Sequence, residues 1–260
     1  MKRLRAVVAY DGSDYSGFQR QANAPTVQET LEDALAQVTQ APTSIVAAGR
    51  TDAGVHAAGQ VIAFDTDWFR RKSSLRRGYG PSDLERALNA VLPEDVAVRQ
   101  VREAGERFHP RYDAKKRRYR YYIYNSPQRW PLIRRYSLHV DRPLNVEAME
   151  EAAKSLVGEH DFATFGQPPQ GEVTVRRVFA ATWGTDSFPS FAPGGGWFSF
   201  DVEANAFLYH MVRSVVGTLL QVGLGKMDVR AFRAALKARD RAQAGPTAPP
   251  HGLCLMTVTY

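Results

Sequence analysis

The sequence predicts an α+β protein made of two ferredoxin-like modules that share an antiparallel sheet around a central cleft. Three observations lead there. The order β-α-β-β-α-β is legible once in each half of the 260 residues. A hydrophobic content of 44% against 23% charged residues supports a sizeable buried core. Cys254 is the only cysteine, so no internal disulfide or thiolate-held metal organises the chain. Each module places its helices on one sheet face and leaves the other face free to line the cleft.

The first module covers residues 1–105. Residues 4–10 (Leu-Arg-Ala-Val-Val-Ala-Tyr) read as a strand, followed by a loop containing Gly12 and Gly17. Thr26-Val27-Gln28-Glu29 is a capping box, and Val27, Leu31, Leu35 and Val38 recur at helical spacing, so a helix starts at Thr26. Strand-like runs at 44–48 and 60–66 follow, separated by a loop bracketed with glycines. Ser82-Asp83-Leu84-Glu85 is a second capping box, opening a helix through Leu92 that Pro93 ends. Residues 96–101 close the module as a strand.

The second module, residues 106–260, repeats the order with one extra helix. Residues 117–124 form a strand, and Asn145 caps a helix running to Val157. Strands at 173–183 and 197–203 are joined through Gly194-Gly195-Gly196. Helical patterns occupy 207–222 and 228–239. After a Gly/Pro/Ala-rich link at 242–252, residues 253–260 form the last strand.

Thirty-four Lys and Arg against 27 Asp and Glu leave a net charge of +7, which directs the search toward polyanions. The cations cluster at Arg70-Arg71-Lys72, Arg76-Arg77, Lys115-Lys116-Arg117-Arg118-Arg120 and Arg134-Arg135, in patches distributed along the chain. A membrane partner is not expected. The longest apolar region, 208–224, carries His210 and Arg213 and reads as a core-facing helix. The N-terminus lacks the pattern of a secretory signal, so a cytoplasmic location is expected. The six histidines show no metal-ligand spacing, and no Walker A or Gly-x-Gly-x-x-Gly loop occurs.

The chemistry concentrates in Gly49-Arg50-Thr51-Asp52-Ala53-Gly54-Val55-His56, between two strands of the first module. Its glycines allow tight turns and close approach of a ligand to the backbone. Arg50, two residues from Asp52, is placed to hold that carboxylate ionised and oriented in a dry site. The residue chemistry by itself is also met by an Asx-turn carrying a surface Arg–Asp pair.

This loop is similar to the signature loop of the TruA family of tRNA pseudouridine synthases. Other segments resemble that family in the same order: Tyr10-Asp11-Gly12-Ser13 with Gly17-Phe18-Gln19-Arg20-Gln21, then Arg117-Arg118-Tyr119-Arg120-Tyr121, then His160-Asp161-Phe162 with Phe165. Ala204-Asn205-Ala206-Phe207, His210-Met211-Val212-Arg213 and Gly252-Leu253 continue the series. Two departures stand out: Phe18 where many members carry tryptophan, and a longer connection over 70–81. The resemblance implies conversion of uridine to pseudouridine in the anticodon arm of tRNA, at positions 38, 39 and 40. It implies Asp52 as nucleophile or base, a homodimer in which one tRNA touches both subunits, and no metal or organic cofactor.

It also implies roles for residues whose spacing alone is ambiguous. Tyr119 shares a period-two face with Arg117, Tyr121 and Ile123, which equally suits a core aromatic; the resemblance has it stack on the extruded base or order the carboxylate. Arg213 stands among Met211, Val212, Val215 and Val216, where a charge needs a partner; the resemblance brings it to the nucleophile as an ion pair. Arg50 and Arg213 would then both serve Asp52. Leu253 would wall the base, though strand packing explains it too. Arg118 and Arg120, with the 70–77 cluster, are expected to grip phosphates. A non-catalytic RNA-binding module is the main rival reading. A methyltransferase using Cys254 would need a methyl-donor loop, and none is found.

Overall fold

Strand β1 (Lys2–Tyr10) alternates: Leu4, Ala6, Val8 and Tyr10 are buried and the residues between them are not, which is how a strand with one covered face reads. The structure is a computed structural model that describes residues 1–71, 79–168, 171–185 and 195–260, with the side chains of 70 and 71 left aside. It is a mixed α+β chain with mostly antiparallel strands. Two compact units are present, Met1–Lys115 with Leu255–Tyr260, and Lys116–Cys254.

In the first unit β1 is followed by α1 (Val27–Thr39), β2 (Val46–Ala47), β3 (His56–Thr66), α2 (Trp68–Arg71), α3 (Pro81–Asn89) and β4 (Val96–Glu103). β1 pairs antiparallel with both β3 and β4, and β2 lies against β3. The last strand, β10 (Leu253–Thr259), lies on the other edge of β3, so the order is β4-β1-β3-β10. α1 starts where the sequence places it. The Thr26 hydroxyl accepts from the Glu29 N–H at 3.4 Å, relieving one orphan donor of the first turn. The buried stripe Val27, Leu31 and Leu35 faces the core together with Leu84 and Leu88 of α3.

α3 corrects the expected capping box at Ser82. The cap lies two residues earlier and the helix begins at Pro81, whose fixed φ suits the first helical position. The cap is Gly80, whose N–H donates to Asp83 Oδ2 at 2.8 Å. α3 also ends at Asn89, three residues before the expected Leu92. The expected strand at 44–48 shortens to the two residues of β2. The cation cluster at 70–77 lies outside the described residues or their described side chains.

In the second unit the strands are β5 (Lys116–Asn125), β6 (Leu138–Val140), β7 (Gly158–Asp161), β8 (Val175–Thr185) and β9 (Gly196–Ala204), with helices α4 (Val146–Lys154), α5 (Met211–Gly223) and α6 (Val229–Ala238). The order β5-β9-β8-β7 is antiparallel throughout, and β6 joins β5 in parallel. β6 and β7 are absent from the sequence expectation; three and four residues are too short to show a period. Gly194 of the expected Gly-rich turn lies outside the described residues.

Asn145 caps α4 as expected, its Oδ1 accepting from the Ala148 N–H at 2.9 Å. Asp228 does the same for α6, through the Ala231 N–H at 2.7 Å. α5 starts at Met211, four residues after the expected Phe207, because His210 takes a left-handed φ of 60° that no helix continues through. Every residue of α5 except Arg213 and Gln221 is buried. Truncating a fully buried member such as Leu219 to alanine would cost about 2–5 kcal/mol. Among the described residues no helix is long and apolar enough to cross a membrane.

Candidate active site

The loop from Gly49 to His56 connects β2 to β3 and is tied down on every side by the first unit. Gln60, a fully buried polar residue within β3, donates its amide to the Gly49 carbonyl at 2.9 Å. The Thr51 carbonyl accepts from the Phe18 N–H at 3.1 Å, and the Gly54 N–H donates to the Tyr15 carbonyl at 3.2 Å. The Tyr10 and Thr51 hydroxyls share a buried 2.7 Å hydrogen bond. Within the loop, the Val55 N–H turns back to the Asp52 carbonyl at 3.1 Å.

Two glycines make this packing possible. A Cβ on Gly12 would run into the Val55 carbonyl, and Gly17, at φ of 100°, lets residues 15–18 pass directly beside Thr51 and Ala53. His56 Nδ1 accepts from the Gly12 N–H at 3.0 Å and stands 3.1 Å from Asp11 Oδ1. The nitrogen serves one of them at a time. Tyr15 donates to Asp95 Oδ1 at 2.9 Å, and burial together with that bond pushes its hydroxyl up to about 12.

The result is a backbone fixed at each turn around a half-buried Asp52, with Thr51 buried before it and Ala53 exposed after it. Arg50 is exposed. The Tyr10–Thr51 and Gln60–Gly49 anchors were not singled out by sequence reading. The available signal was Gln60 itself, a polar residue inside the otherwise apolar run 57–64 of β3.

The second unit holds the other residues singled out from the sequence. On β5, Tyr119 and Tyr121 occupy one face and Arg118 and Arg120 the other. The Tyr119 ring meets Phe207 edge-to-face, with centroids 5.0 Å apart and planes at 86°. Tyr121 is fully buried and donates to the Pro249 carbonyl at 2.8 Å. Burial pushes its hydroxyl well above the usual tyrosine range, and the positive charge of Arg213 partly opposes this.

Arg213 is linked twice to Ala248. Its Nε donates to the Ala248 carbonyl at 2.8 Å, and the Ala248 N–H returns to the Arg213 carbonyl at 3.0 Å. This holds residues 246–249 along α5. Leu253 is buried at the start of β10, directly after Gly252, where a Cβ would strike the Tyr121 ring.

Arg118 and Arg120 converge on one carboxylate. Arg118 Nε and Nη2 reach Asp201 Oδ1 at 2.8 and 2.7 Å, while Arg120 Nε and Nη2 reach Oδ2 at 3.0 and 2.9 Å. The Arg120 guanidinium is held above its ordinary value by that bond. Asp201 stands opposite Arg120 in the β5–β9 register, so sheet pairing makes the contact. Further along the strand, Lys116 pairs with Glu203 at 2.8 Å and lies over the Phe179 ring at 4.8 Å. Among the described residues no three His, Cys, Asp or Glu side chains converge to hold a metal ion.

The sequence matches the family described as tRNA pseudouridine synthase over residues 6–113 and 152–260. The chain belongs to that family, whose members are isomerases acting on uridine in tRNA. Among its relatives is the tRNA pseudouridine synthase A of Thermoanaerobacter sp. (strain X514), 41% identical over 261 residues and the full length of both chains. That of Geotalea uraniireducens (strain Rf4) is 42% identical, again over all of both chains. That of Aeromonas hydrophila subsp. hydrophila is 43% identical over 99% of this chain and 90% of its own.

Proposed function

We propose that this chain carries out the uridine-to-pseudouridine isomerisation in the anticodon arm of tRNA, at positions 38, 39 and 40, with Asp52 as the carboxylate that engages the target nucleoside. The observation that carries the reading is the pinned loop: hydrogen bonds with Gln60, Phe18 and Tyr15 fix its backbone on either side of a half-buried Asp52, and the Tyr10–Thr51 hydroxyl pair anchors the side chain before it. A nucleophile or base needs that kind of preorganisation, because misplacement by about 1 Å can cost roughly a hundredfold in rate.

The reaction breaks the bond from N1 to C1′, turns the base and joins C5 to C1′. The hydrogen on C5 leaves as a proton, and N1 gains one, so the product is an isomer. An ionised carboxylate enters this sequence by attack on the sugar, attack on the base, or removal of a proton beside C1′. Each route requires the uridine out of its stack. In this reading Tyr119 stacks on or orders the extruded nucleoside, and Leu253 supplies its apolar wall. Arg213 and Arg50 supply guanidinium charge to the Asp52 carboxylate, while Arg118 and Arg120 take phosphates. The finer fold assignment, two ferredoxin-like modules, is supported by the order β1-α1-β2-β3-α2-α3-β4 of the first unit, which departs from β-α-β-β-α-β by the single-turn α2. A homodimer in the cytoplasm completes the reading, on the family resemblance.

The test is tritium release from tRNA labelled at C5 of uridine, because forming the C5 glycoside expels that tritium. Wild-type protein should release it catalytically. Asp52→Asn should abolish release while tRNA affinity changes little, since phosphate contacts dominate binding. Release by Asp52→Asn within tenfold of wild type would remove Asp52 from the chemistry. Binding without any release by wild-type protein would make the chain an RNA-binding module.

A further inference from the structure

The segment joining β4 to β5 holds an aromatic side chain that the catalytic reading leaves unused. Tyr112 is 71% exposed, well beyond the other tyrosines among the exposed apolar residues. Its ring lies over that of His109, with centroids 4.2 Å apart and planes 30° from parallel. The Arg111 guanidinium is 5.9 Å from the Tyr112 centroid.

An exposed tyrosine on a floppy loop would need no explanation, but this turn is tightly built. His109 Nδ1 accepts from the backbone N–H groups of both Arg111 and Tyr112, at 3.2 and 3.3 Å. The Asp113 N–H donates to the His109 carbonyl, and Asp113 Oδ2 accepts from the His109 N–H, each at 3.0 Å. Arg3 Nε holds the Phe108 carbonyl at 2.8 Å, and the Tyr260 hydroxyl holds that of Pro110 at 3.0 Å. The body of the unit thus grips both flanks of the turn. The ordering cost of presenting an aromatic face is already met before any ligand arrives.

We propose that Tyr112, backed by His109 and flanked by Arg111, is a stacking platform for an unpaired nucleobase of the substrate RNA. A flat, polarisable ring with most of its surface in water suits a base face, since every base offers a π-face. The neighbouring cations Arg107, Arg111 and Lys115 suit the phosphates on either side of it. The platform takes a base from a loop or an extruded position, because bases stacked within an A-form helix present only their edges. The inference rests on tRNA being the substrate, and it adds a contact outside the catalytic loop.

The experiment compares binding of a tRNA transcript with binding of a fully paired RNA duplex, for wild type, Tyr112→Ala, Tyr112→Phe and His109→Ala. Tyr112→Ala should weaken tRNA binding roughly 5- to 150-fold, the range for loss of one base-stacking contact. Its duplex binding should stay within about twofold. Tyr112→Phe should bind tRNA like wild type, and His109→Ala should fall between, because the ring loses its backing. Equal tRNA affinity for wild type and Tyr112→Ala overturns the proposal, as does an equal loss on tRNA and duplex. Wild-type tritium release, measured on the same preparation, reports on the isomerase reading independently.

Discussion

The hydroxyls of Tyr10 and Thr51 meet at 2.7 Å, tying the end of β1 to the residue immediately before Asp52. Both side chains are buried, Tyr10 at 4% and Thr51 at 7% exposure, so the bond forms where water competes little. Tyr10→Phe and Thr51→Val should each lower stability by about 1–2 kcal/mol. Their double mutant should show a coupling on the order of 1 kcal/mol, and turnover should fall more than tRNA affinity in either single variant. Strictly additive denaturation free energies would show that the two hydroxyls do not depend on one another.

Arg213 combines a positive charge with a directed Nε donor to Ala248. Arg213→Ala is expected to reduce kcat by at least ~10-fold and tRNA affinity by no more than ~3-fold, the pattern of an interaction made mainly in the transition state. Arg213→Lys should recover little, since lysine keeps the charge but has no Nε–H fork. Parallel losses in kcat and affinity, read by single-turnover kinetics and filter binding, would make Arg213 a binding residue.

Asp201 takes two guanidiniums onto one carboxylate, which leaves the Arg118–Arg120 pair with one net positive charge. Asp201→Asn removes the opposing charge. Affinity for RNA at low salt should rise, and the log–log salt dependence should steepen by about 0.9, the increment for one more phosphate neutralised on a duplex. An unchanged slope would mean that this face of β5 does not meet phosphates.

Asp161 gives the protein an acid-sensitive anchor. Its carboxylate accepts from Thr174 Oγ1 at 2.6 Å and the Ala163 N–H at 3.0 Å, and it pairs with Arg239 at 3.0 Å. The Thr174 hydrogen bond, chiefly, holds its pKa below the usual carboxylate value. A depressed folded pKa contributes stability above the unfolded value of about 3.9, and loses it as pH falls through the lower folded value. Asp161→Asn should therefore be less stable than wild type by about 1 kcal/mol at neutral pH. The gap in Tm should close as the pH is taken below about 4. A gap that stays constant across that acid range would show that the charge contributes nothing.

Much of the fold was open to local reading because the signals are local. Thr26, Asn145 and Asp228 cap the helices they precede, and the alternation of Leu4, Ala6, Val8 and Tyr10 marks the covered face of β1. Where the reading slipped, a competing local signal or a neighbouring strand decided the outcome. Ser82-Asp83-Leu84-Glu85 has the spacing of a capping box, yet Asp83 turns to Gly80 because Pro81 starts the helix first. β6 is defined by its parallel pairing with the last three residues of β5, a distant-segment contact that local pattern does not show. The apolar stretch from Phe207 looks helical throughout, but the left-handed His210 delays the start of α5 to Met211.

By itself the sequence determined which groups are available and on which face of an element each one lies. It placed Asp52 in a glycine-bracketed loop, set Arg118 and Arg120 one period apart on β5, and marked Arg213 as a charge in an apolar helix. Only the tertiary structure decided which partner each group meets. Thr51 is held by Tyr10 from 41 residues away, and Arg118 is matched by Asp201 across 83. The physical reason is that side-chain periodicity is set by bonds along the chain, whereas hydrogen-bond and charge partners are set by strand register and packing between distant segments.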